Sequence, residues 1–402
     1  MADALAREAA ALEGIKVLEL GSLVAAPYCA KLLADMGAEV VKVEPPGGDQ
    51  ARARGPFFKD LPDPETSALY LYLNTNKRGI TLNLEMASGR ALLLELLAQV
   101  DVFIEDTPPG RLEEWGLPLA DLRQLYPGLI VTSITPFGRT GPYRRYRAYD
   151  INLFHGGGQG FMVRNDALGK RPPLTGGGYL AEFDGGLSAA VATLGALYHQ
   201  GLTGLGQHLD CSVQEAVMAL ERATLTRYPN ELAGSATTPL SAGSRGGRSG
   251  MSGTQRCKDG WVTIAALEEH QWQGLMRLIG APAGSLRPTP ELDELLRAWL
   301  AEHTMDEVYH GAEALSVPAG RLQTSRDLLE SAQLQAREFF QSIDHPRTGA
   351  LPYPTAGYRM SATPWRARRP APLLGQHNTE VYCGWLQRSQ TELARLAQAG
   401  AI

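Results

Sequence analysis

Short apolar runs alternate with segments of helical spacing over the first third of the chain. Residues 15–20 and 38–44 are apolar runs of strand length, and apolar residues recur every three or four positions between Ala25 and Met36. A strand, a helix and a strand within about thirty residues predict a βαβ unit with parallel strands. The alternation continues with predicted strands at 80–84, 102–105 and 129–134 and predicted helices at 88–99 and 119–125. This pattern predicts a doubly wound α/β domain.

The pattern changes beyond residue 184, where helices and a glycine-rich stretch follow one another. A helix rich in small residues is predicted at 187–200. Further on, the spacing predicts a strand at 261–265 and helices at 213–225, 269–279, 290–301, 305–314 and 379–397. We expect a large domain over residues 1–200, a smaller α/β domain over 201–330, and a linker and C-terminal segment over 331–402 that returns to the large domain.

Composition excludes several classes of protein. The 402 residues are 44% hydrophobic and 20% charged, which excludes a disordered chain, and no window approaches the roughly 18 apolar residues of a membrane span. The four cysteines lie far apart, and the net charge of −5 gives no basic field for nucleic acid. The turn at residues 20–27 lacks the G-x-G-x-x-G motif of nicotinamide-binding folds. We therefore expect a cytoplasmic protein without a metal site, a membrane partner or a nucleic-acid partner.

Short motifs follow one another in a fixed order over nearly the whole chain. They are LEGIKVL (12–18), GAEVVKVEPPGGD (37–49), NTNKR (74–78), GRTGPY (138–143), TGLGQHLD (203–210), VPAG (317–320) and GQH (375–377). In this order they resemble the family III CoA-transferases (the CaiB/BaiF family), which include formyl-CoA transferase, carnitine CoA-transferase and the α-methylacyl-CoA racemases. The resemblance implies a Rossmann-like parallel sheet in the large domain, with CoA bound there, and an interlocked homodimer whose subunits pass through each other like linked rings.

The resemblance implies an acyl-CoA:carboxylate CoA-transferase, with acyl-CoA and a carboxylic acid as substrates and no covalently bound cofactor. In the family a side-chain carboxylate attacks the thioester, forms a mixed anhydride and then an enzyme–CoA thioester. The match to the small-residue helix puts Glu182 at the position of the usual aspartate, so a glutamyl anhydride is expected. Asp184 is the competing candidate for the nucleophile. A non-catalytic explanation of Glu182 is a carboxylate favoured at a helix start by the helix dipole.

Residues 147–150 resemble the segment that lines the CoA thioester in the family. The resemblance implies catalytic positions for Tyr149 and Asp150 and CoA contacts for Arg147 and Ala148. Racemases have a histidine at the position of Tyr149, and a tyrosine with an ordinary pKa of about 10 is a poor proton acceptor. An acyl-CoA racemase or isomerase, in which Glu182 pairs with Tyr149 or Asp150, is therefore an alternative function. A diverged member that binds acyl-CoA or another ligand without transferring CoA is another.

CoA contacts are also implied elsewhere on the large domain. They fall on Val24, Ala25, Pro45, Arg54, Asn74, Thr75, Asn76, Lys77, Asp106 and Thr107. The family often has arginines where this chain has Pro45, Pro108 and Glu114, and the phosphate groups of CoA require cations. Substitute charge is expected from nearby basic residues, namely Arg52, Arg54, Lys77, Arg78 and Arg111. The glycine-rich segments 156–160 and 243–253 are candidate loops whose N–H groups face a reacting oxyanion.

Overall fold

A computed structural model of the chain describes residues 10–162, 174–220, 251–285 and 288–402. These residues divide into two compact units. The first unit contains residues 10–162, 174–220 and 338–402, and the second contains residues 251–285 and 288–337.

Six parallel strands form the central sheet of the first unit. The strands are β1 (Lys16–Leu20), β2 (Glu39–Glu44), β3 (Lys77–Thr81), β4 (Val102–Glu105), β5 (Ile130–Thr135) and β6 (His208–Ser212). They pair in the order β3-β2-β1-β4-β5-β6, so the chain starts in the middle of the sheet and winds outwards in both directions. In such sheets the crevice for a ligand lies at the carboxyl edge of the strands, where the order reverses. The predicted parallel α/β architecture is confirmed.

Helices of the first unit cover both faces of this sheet, and the second unit has helices of its own. In chain order the described helices are α1 (Ala25–Asp35), α2 (Ala68–Leu73), α3 (Ala87–Leu97), α4 (Arg111–Glu114), α5 (Leu119–Leu125), α6 (Asp150–Gly156), α7 (Gln159–Met162), α8 (Leu180–Thr203), α9 (Val213–Ala219), α10 (Glu269–Leu278), α11 (Pro290–Glu302), α12 (Met305–Ala314), α13 (Ser325–Glu330), α14 (Ala332–Ala336), α15 (Asn378–Gly384) and α16 (Gln390–Gln398). Since side chains alternate along a strand, Val17 packs with α1 and α8 on one face, and Leu18 packs with α3 and α15 on the other. Burial on both faces explains the continuous apolar runs of the strands.

The second unit has a smaller core of its own. Three antiparallel strands form its sheet in the order β7-β8-β9, namely β7 (Gly253–Arg256), β8 (Trp261–Ile264) and β9 (Ala319–Arg321). Helices α10, α11 and α12 pack against this sheet around the fully buried Trp272. The chain then re-enters the first unit and forms an antiparallel hairpin of β10 (Phe340–His345) and β11 (Gly349–Pro354).

Several boundaries differ from those that the sequence predicts. The expected domain border at residue 200 lies inside the first unit, because β6 pairs with β5 as the last strand of its sheet. The small-residue helix α8 begins at Leu180 rather than at residue 187, and the predicted final helix is divided into α15 and α16. The end of the predicted helix at 213–225 lies outside the described residues. In the part of the chain that is described, no helix is both long and apolar enough to cross a membrane.

Charged side chains form a buried ion network beneath the carboxyl edge of the sheet, made of Glu19, Lys42, Asp49 and Lys77. One oxygen of Glu19 lies 2.8 Å from Lys42 Nζ, and the other lies 2.7 Å from Lys77 Nζ. Lys42 also contacts Asp49 at 2.7 Å. Burial lowers the pKa of Lys77 to about 8, although Glu19 opposes the shift. The network joins β1, β2 and β3 below the site described next.

Candidate active site

Glu182 lies where two helices begin. It is in the first turn of α8, and its carboxylate faces the backbone N–H of Ala25, the first residue of α1, which favours the charged form of the carboxylate. Because α1 follows β1 directly, this carboxylate lies at the carboxyl edge of the parallel sheet. The positive ends of both helix dipoles therefore point towards one partly buried carboxyl group.

Small residues let α8 approach α1 closely at this point. A Cβ on Gly186 would lie 2.5 Å from the carbonyl oxygen of Ala25, so only glycine fits there. One residue from Glu182, the ring of Phe183 packs edge-on against Tyr28 with 4.7 Å between centroids. These contacts fix the side of α8 that carries Glu182 against the start of α1.

The environment of Glu182 favours its neutral form. Burial and the negative charge of Asp150 raise the pKa of Glu182 to about 7, and the N–H of Ala25 opposes the shift. Burial also raises the pKa of Asp184, whose carboxylate accepts a hydrogen bond from Gln159 at 3.1 Å. The two candidate nucleophiles thus differ in their partners: among the described residues, Glu182 faces the N-terminus of α1 at Ala25, whereas Asp184 contacts Gln159.

The turn between β1 and α1 is held by two carboxylates, the buried Asp49 and the half-buried Asp106. Asp49 accepts the N–H of Leu23 at 2.9 Å, and Asp106 accepts the N–H of Ser22 at 2.8 Å. Lys42 donates to the carbonyl oxygen of Gly21 at 2.9 Å. Burial raises the pKa of Asp106 well above its usual range, while the N–H of Ser22 opposes the shift. These contacts position the N–H of Ala25 at the end of the turn.

An open cleft of about 1180 Å³ lies in the first unit at the same edge of the sheet. Its lining includes Asp106, the residues that replace two of the family arginines (Pro108 and Glu114), the aromatic Tyr146, and four arginines, namely Arg139, Arg144, Arg145 and Arg147. Arg139 is paired with Glu105 at 3.1 Å. Arg144, Arg145 and Arg147 are exposed, and no carboxylate pairs with them among the described residues. The lining also includes the carboxylates Glu113 and Glu114, so the cations that a phosphate-bearing ligand requires are concentrated on the segment from Arg144 to Arg147.

The predicted site residues divide into three groups. Asp106, Arg147, Ala148 and Tyr149 line the cleft, and Asp150 follows them directly at the start of α6. Val24, Ala25 and Thr107 are buried near the turn, where Thr107 donates to Glu105. Outside the lining of the cleft lie Pro45 and Arg54, which are exposed, and four buried residues: Asn74, Thr75, Asn76 and Lys77.

The buried stretch from Asn74 to Lys77 makes structural contacts. Lys77 Nζ donates to Glu19, to Asn74 Oδ1 at 2.9 Å and to the carbonyl oxygen of Pro27 at 2.7 Å. Contact of this stretch with CoA stays a prediction, and the network accounts for its polar side chains without a ligand. Three of the expected substitute cations are also engaged, since Arg52 pairs with Glu44, Arg78 with Glu39 and Arg111 with Glu114.

Sequence reasoning missed the other arginines of the cleft. Arg144 and Arg145 stand directly before Tyr146 and Arg147, and this run of three cations in four residues was the available signal. Of the glycine-rich segments, residues 156–160 form the packed connection between α6 and α7, where a Cβ on Gly157 would lie 2.4 Å from Val217. Most of the segment 243–253 lies outside the described residues.

Comparison with known proteins finds full-length relatives. Residues 12–378 match the sequence profile described as CoA-transferase family III. The chain is 32% identical over 405 residues to a succinyl-CoA–D-citramalate CoA-transferase of Chloroflexus aurantiacus, covering 96% of each chain. It is 32% identical over 417 residues to a formyl-CoA:oxalate CoA-transferase of Streptomyces avermitilis, covering 98% of this chain and 99% of the relative. A solved CAIB/BAIF family protein from Brucella suis superposes with a TM-score of 0.81 at 28% identity, over 93% of this chain and 99% of that one.

Proposed function

This chain belongs to CoA-transferase family III, and from that premise we propose that it moves CoA from an acyl-CoA to a carboxylic acid with Glu182 as the nucleophile. As a CoA-transferase it acts on CoA esters and carboxylates. The observation that carries the assignment of Glu182 is its place at the N-termini of α1 and α8, in contact with the N–H of Ala25. A carboxylate there can attack an acyl group held at the carboxyl edge of the sheet.

The reaction is a series of acyl substitutions on Glu182. A carboxylate oxygen of Glu182 attacks the thioester carbonyl, the C–S bond breaks, and a mixed anhydride and CoA thiolate form. The thiolate attacks the glutamyl carbonyl, which releases the donor acid and leaves a glutamyl–CoA thioester. The acceptor carboxylate then attacks this thioester, giving a second anhydride and CoA thiolate. Finally, the thiolate attacks the acceptor's carbonyl in this second anhydride, which forms the new acyl-CoA and releases the carboxylate of Glu182.

The N–H of Ala25 is placed to stabilise the negative charge that develops on the glutamyl carbonyl during the reaction. Whenever the glutamyl carbonyl is attacked, negative charge develops on its oxygen. The N–H of Ala25, which faces this carboxyl group, is placed to donate to the oxygen on which the charge develops. The contacts of Asp49 and Asp106 keep this donor in place, so little reorganisation accompanies the step.

We place the nucleotide end of CoA in the arginine-lined cleft. Arg144, Arg145 and Arg147 supply the charge that the family arginines provide elsewhere, and Tyr146 offers an exposed ring to the adenine. Glu114 in the same lining carries the wrong sign for phosphate, and it is paired with Arg111 at 2.7 Å. We assign the stretch from Asn74 to Lys77 to the framework of the site.

We further propose that two copies associate through α8. From Gly185 to Thr203 this helix has no Asp, Glu, Lys or Arg. A helix that is apolar on all sides is normally buried against other parts of a protein. The outer face of α8 is instead exposed in the single chain, at Leu187, Val191, Tyr198 and Leu202. A Cβ on Gly195, at the middle of this stripe, would meet nothing within 4 Å, which leaves room for close approach across a two-fold axis.

Chemical trapping tests the nucleophile. The protein is incubated with acyl-CoA and then with hydroxylamine or borohydride, and the modified carboxylate is mapped by mass spectrometry. The names of the relatives suggest succinyl-CoA and formyl-CoA as the first donors and citramalate and oxalate as the first acceptors. We expect the adduct on Glu182, no adduct and no transfer with Glu182→Gln, and both retained with the control Asp184→Asn.

Other outcomes contradict the proposal. An adduct on Asp184, or full CoA exchange by Glu182→Gln, would exclude Glu182 as the nucleophile. Solvent deuterium at the α-carbon of an acyl-CoA, without CoA exchange, would indicate a racemase or isomerase instead. Failure to bind CoA esters at millimolar concentration would indicate a diverged member with another ligand.

A further inference from the structure

Asp150 caps the helix that carries Glu182. It is the first residue of α6, and its Oδ1 accepts the N–H groups of Ala181 at 2.9 Å and of Glu182 at 3.3 Å. The residue at the N-cap position of α8 itself, Tyr179, has a φ of 63° and makes no side-chain cap. The free N–H groups at the start of α8 are therefore satisfied by a carboxylate from another helix.

This cap fixes the backbone from which the Glu182 side chain projects. One oxygen of Asp150 binds the N–H of Glu182 and that of the residue before it, so the first turn of α8 is fastened to α6. The carboxylate of Glu182 is held at its other end by the N–H of Ala25. A reacting group misplaced by about 1 Å can lose about 100-fold in rate, so an anchor at the backbone of the nucleophile bears on catalysis.

The cap also brings a second carboxylate close to the first. Burial is the larger cause of the raised pKa of Glu182, and the charge of Asp150 is the next. Asp184 on the same helix is engaged with Gln159, and burial raises the pKa of the Tyr28 phenol, so this tyrosine is neutral. The titratable and polar groups that contacts place around the start of α8, among the described residues, are Asp150 from α6, the N–H of Ala25 and Tyr28 from α1, Tyr72 from α2, and Asp184 from α8 itself.

We propose that Asp150 is a positioning residue that acts through Glu182, because it anchors the first turn of α8 and places a second negative charge beside the nucleophile. This inference rests on the proposed function of Glu182. In this proposal Asp150 does not contact the substrate. Residues 147–149, which line the cleft, directly precede Asp150, so the cap connects this wall of the cleft with the helix that carries the nucleophile.

Two substitutions at Asp150 separate the effect of its backbone hydrogen bonds from the effect of its negative charge. Asp150→Asn keeps an oxygen that can accept both N–H groups but removes the charge, whereas Asp150→Ala removes both. The acid limb of kcat/KM reports ionisation in the free enzyme. For Asp150→Asn we expect kcat on the plateau within about 3-fold of wild type and an acid limb moved to lower pH by up to about one unit. For Asp150→Ala we expect kcat to fall about 10- to 100-fold, with little change in KM for acyl-CoA.

Asp101→Asn is the matched control. Asp101 also accepts a backbone N–H, that of Lys16 at 2.8 Å, but it lies at the amino edge of the sheet. We expect this variant, whose amide oxygen can still accept the N–H of Lys16, to fold normally and to leave the acid limb where it is in wild type. If Asp150→Ala does not fold, the pH profile of Asp150→Asn still decides the question.

The outcomes separate the two proposals. An unmoved acid limb in Asp150→Asn, together with an inactive Glu182→Gln, would overturn the role of Asp150 and leave the nucleophile in place. Equal losses of kcat in Asp150→Asn and Asp150→Ala would also overturn it, because an intact cap would then make no difference. Full activity of Glu182→Gln would overturn the nucleophile, whatever Asp150 does.

Discussion

Glu182 combines two properties that oppose each other in a nucleophilic acid. Burial and Asp150 raise the pKa of Glu182 to about 7, so the ionised carboxylate is more basic than an ordinary one and attacks a carbonyl more readily. The same shift means that the neutral acid is substantially populated at neutral pH. The N–H of Ala25 recovers part of the cost of ionisation. A site that holds a carboxylate in this way gives up stability for reactivity.

Glu182→Gln should therefore stabilise the protein at alkaline pH. The folded state holds the proton of Glu182 between its ordinary pKa of 4.5 and about 7, where the unfolded chain has lost it. Folding stability consequently decreases as pH rises through this window, and the penalty is complete above it. We expect a gain on the order of 1–3 kcal/mol for Glu182→Gln above about pH 8, and little gain below about pH 5. Thermal melting at both pH values checks this, and an equal gain at both would contradict it.

The contact between α1 and α8 is the element-scale feature that presents Glu182. The two helices approach at Gly186, whose missing Cβ makes room for the carbonyl oxygen of Ala25. Close packing here lets the first turn of one helix bind the first turn of the other. The catalytic arrangement thus depends on a helix–helix distance as well as on a side chain.

Gly186→Ala should disturb both folding and transfer. Its Cβ would push α8 away from Ala25, and forced overpacking in a core typically costs about 1–3 kcal/mol. We expect a lower melting temperature and a kcat reduced about 10-fold or more, because Glu182 loses its donor. Gly201→Ala, also on α8 and with nothing within 4 Å of its Cβ, is the control and should gain up to about 1 kcal/mol. Unchanged kcat in Gly186→Ala would show that the Ala25 contact is dispensable.

The arginine segment before α6 should govern affinity for CoA. Replacing Arg145 and Arg147 together with Ala removes two charges of the cleft. We expect KM for acyl-CoA to rise about 10- to 100-fold with kcat nearly unchanged, and the remaining affinity to depend less on salt. Arg123→Ala, an exposed position on α5 outside the lining, is the control. An unchanged KM in the double variant would place the phosphates of CoA elsewhere.

The first five strands of the sheet were predictable from sequence because their signal is local, whereas β6 (His208–Ser212) was not predicted. Strand and helix periods alternate as far as β5, and the parallel sheet follows from that alternation. The start of α8 was not predictable, since its first residues include Gly185 and Gly186 and its cap comes from Asp150. The burial of Lys77 was equally hidden, because its partner Glu19 lies on a distant strand. The start of α8 and the burial of Lys77 both depend on contacts between residues far apart in sequence, which the local pattern does not show.

Association of two copies is the prediction at the scale of the whole molecule. The exposed stripe of α8 includes Val191 at 63% and Tyr198 at 73% exposure, which is expensive for a face left in water. We expect the wild type to sediment as a dimer and Val191→Glu/Tyr198→Glu to sediment as a monomer. His199→Glu, about 100° round the helix from Tyr198, is the control and should stay dimeric. A monomeric wild type would contradict the proposal.

The buried ion network bears on how a mutational scan of this protein should be interpreted. Replacing Lys77 or Lys42 alone removes one of the two cations that pair with Glu19, and replacing Lys42 also leaves the buried Asp49 without its cation. Breaking a buried ion pair by removing one partner typically costs about 3–5 kcal/mol. A survey that changes one position at a time will rank these lysines among the most sensitive in the chain. Such a score would reflect the yield of folded enzyme. Joint exchange of Glu19, Lys42 and Lys77 for apolar residues of similar volume, together with Asp49→Asn so that no carboxylate is left without its cation, would separate a scaffold requirement from a ligand contact when expression level is measured.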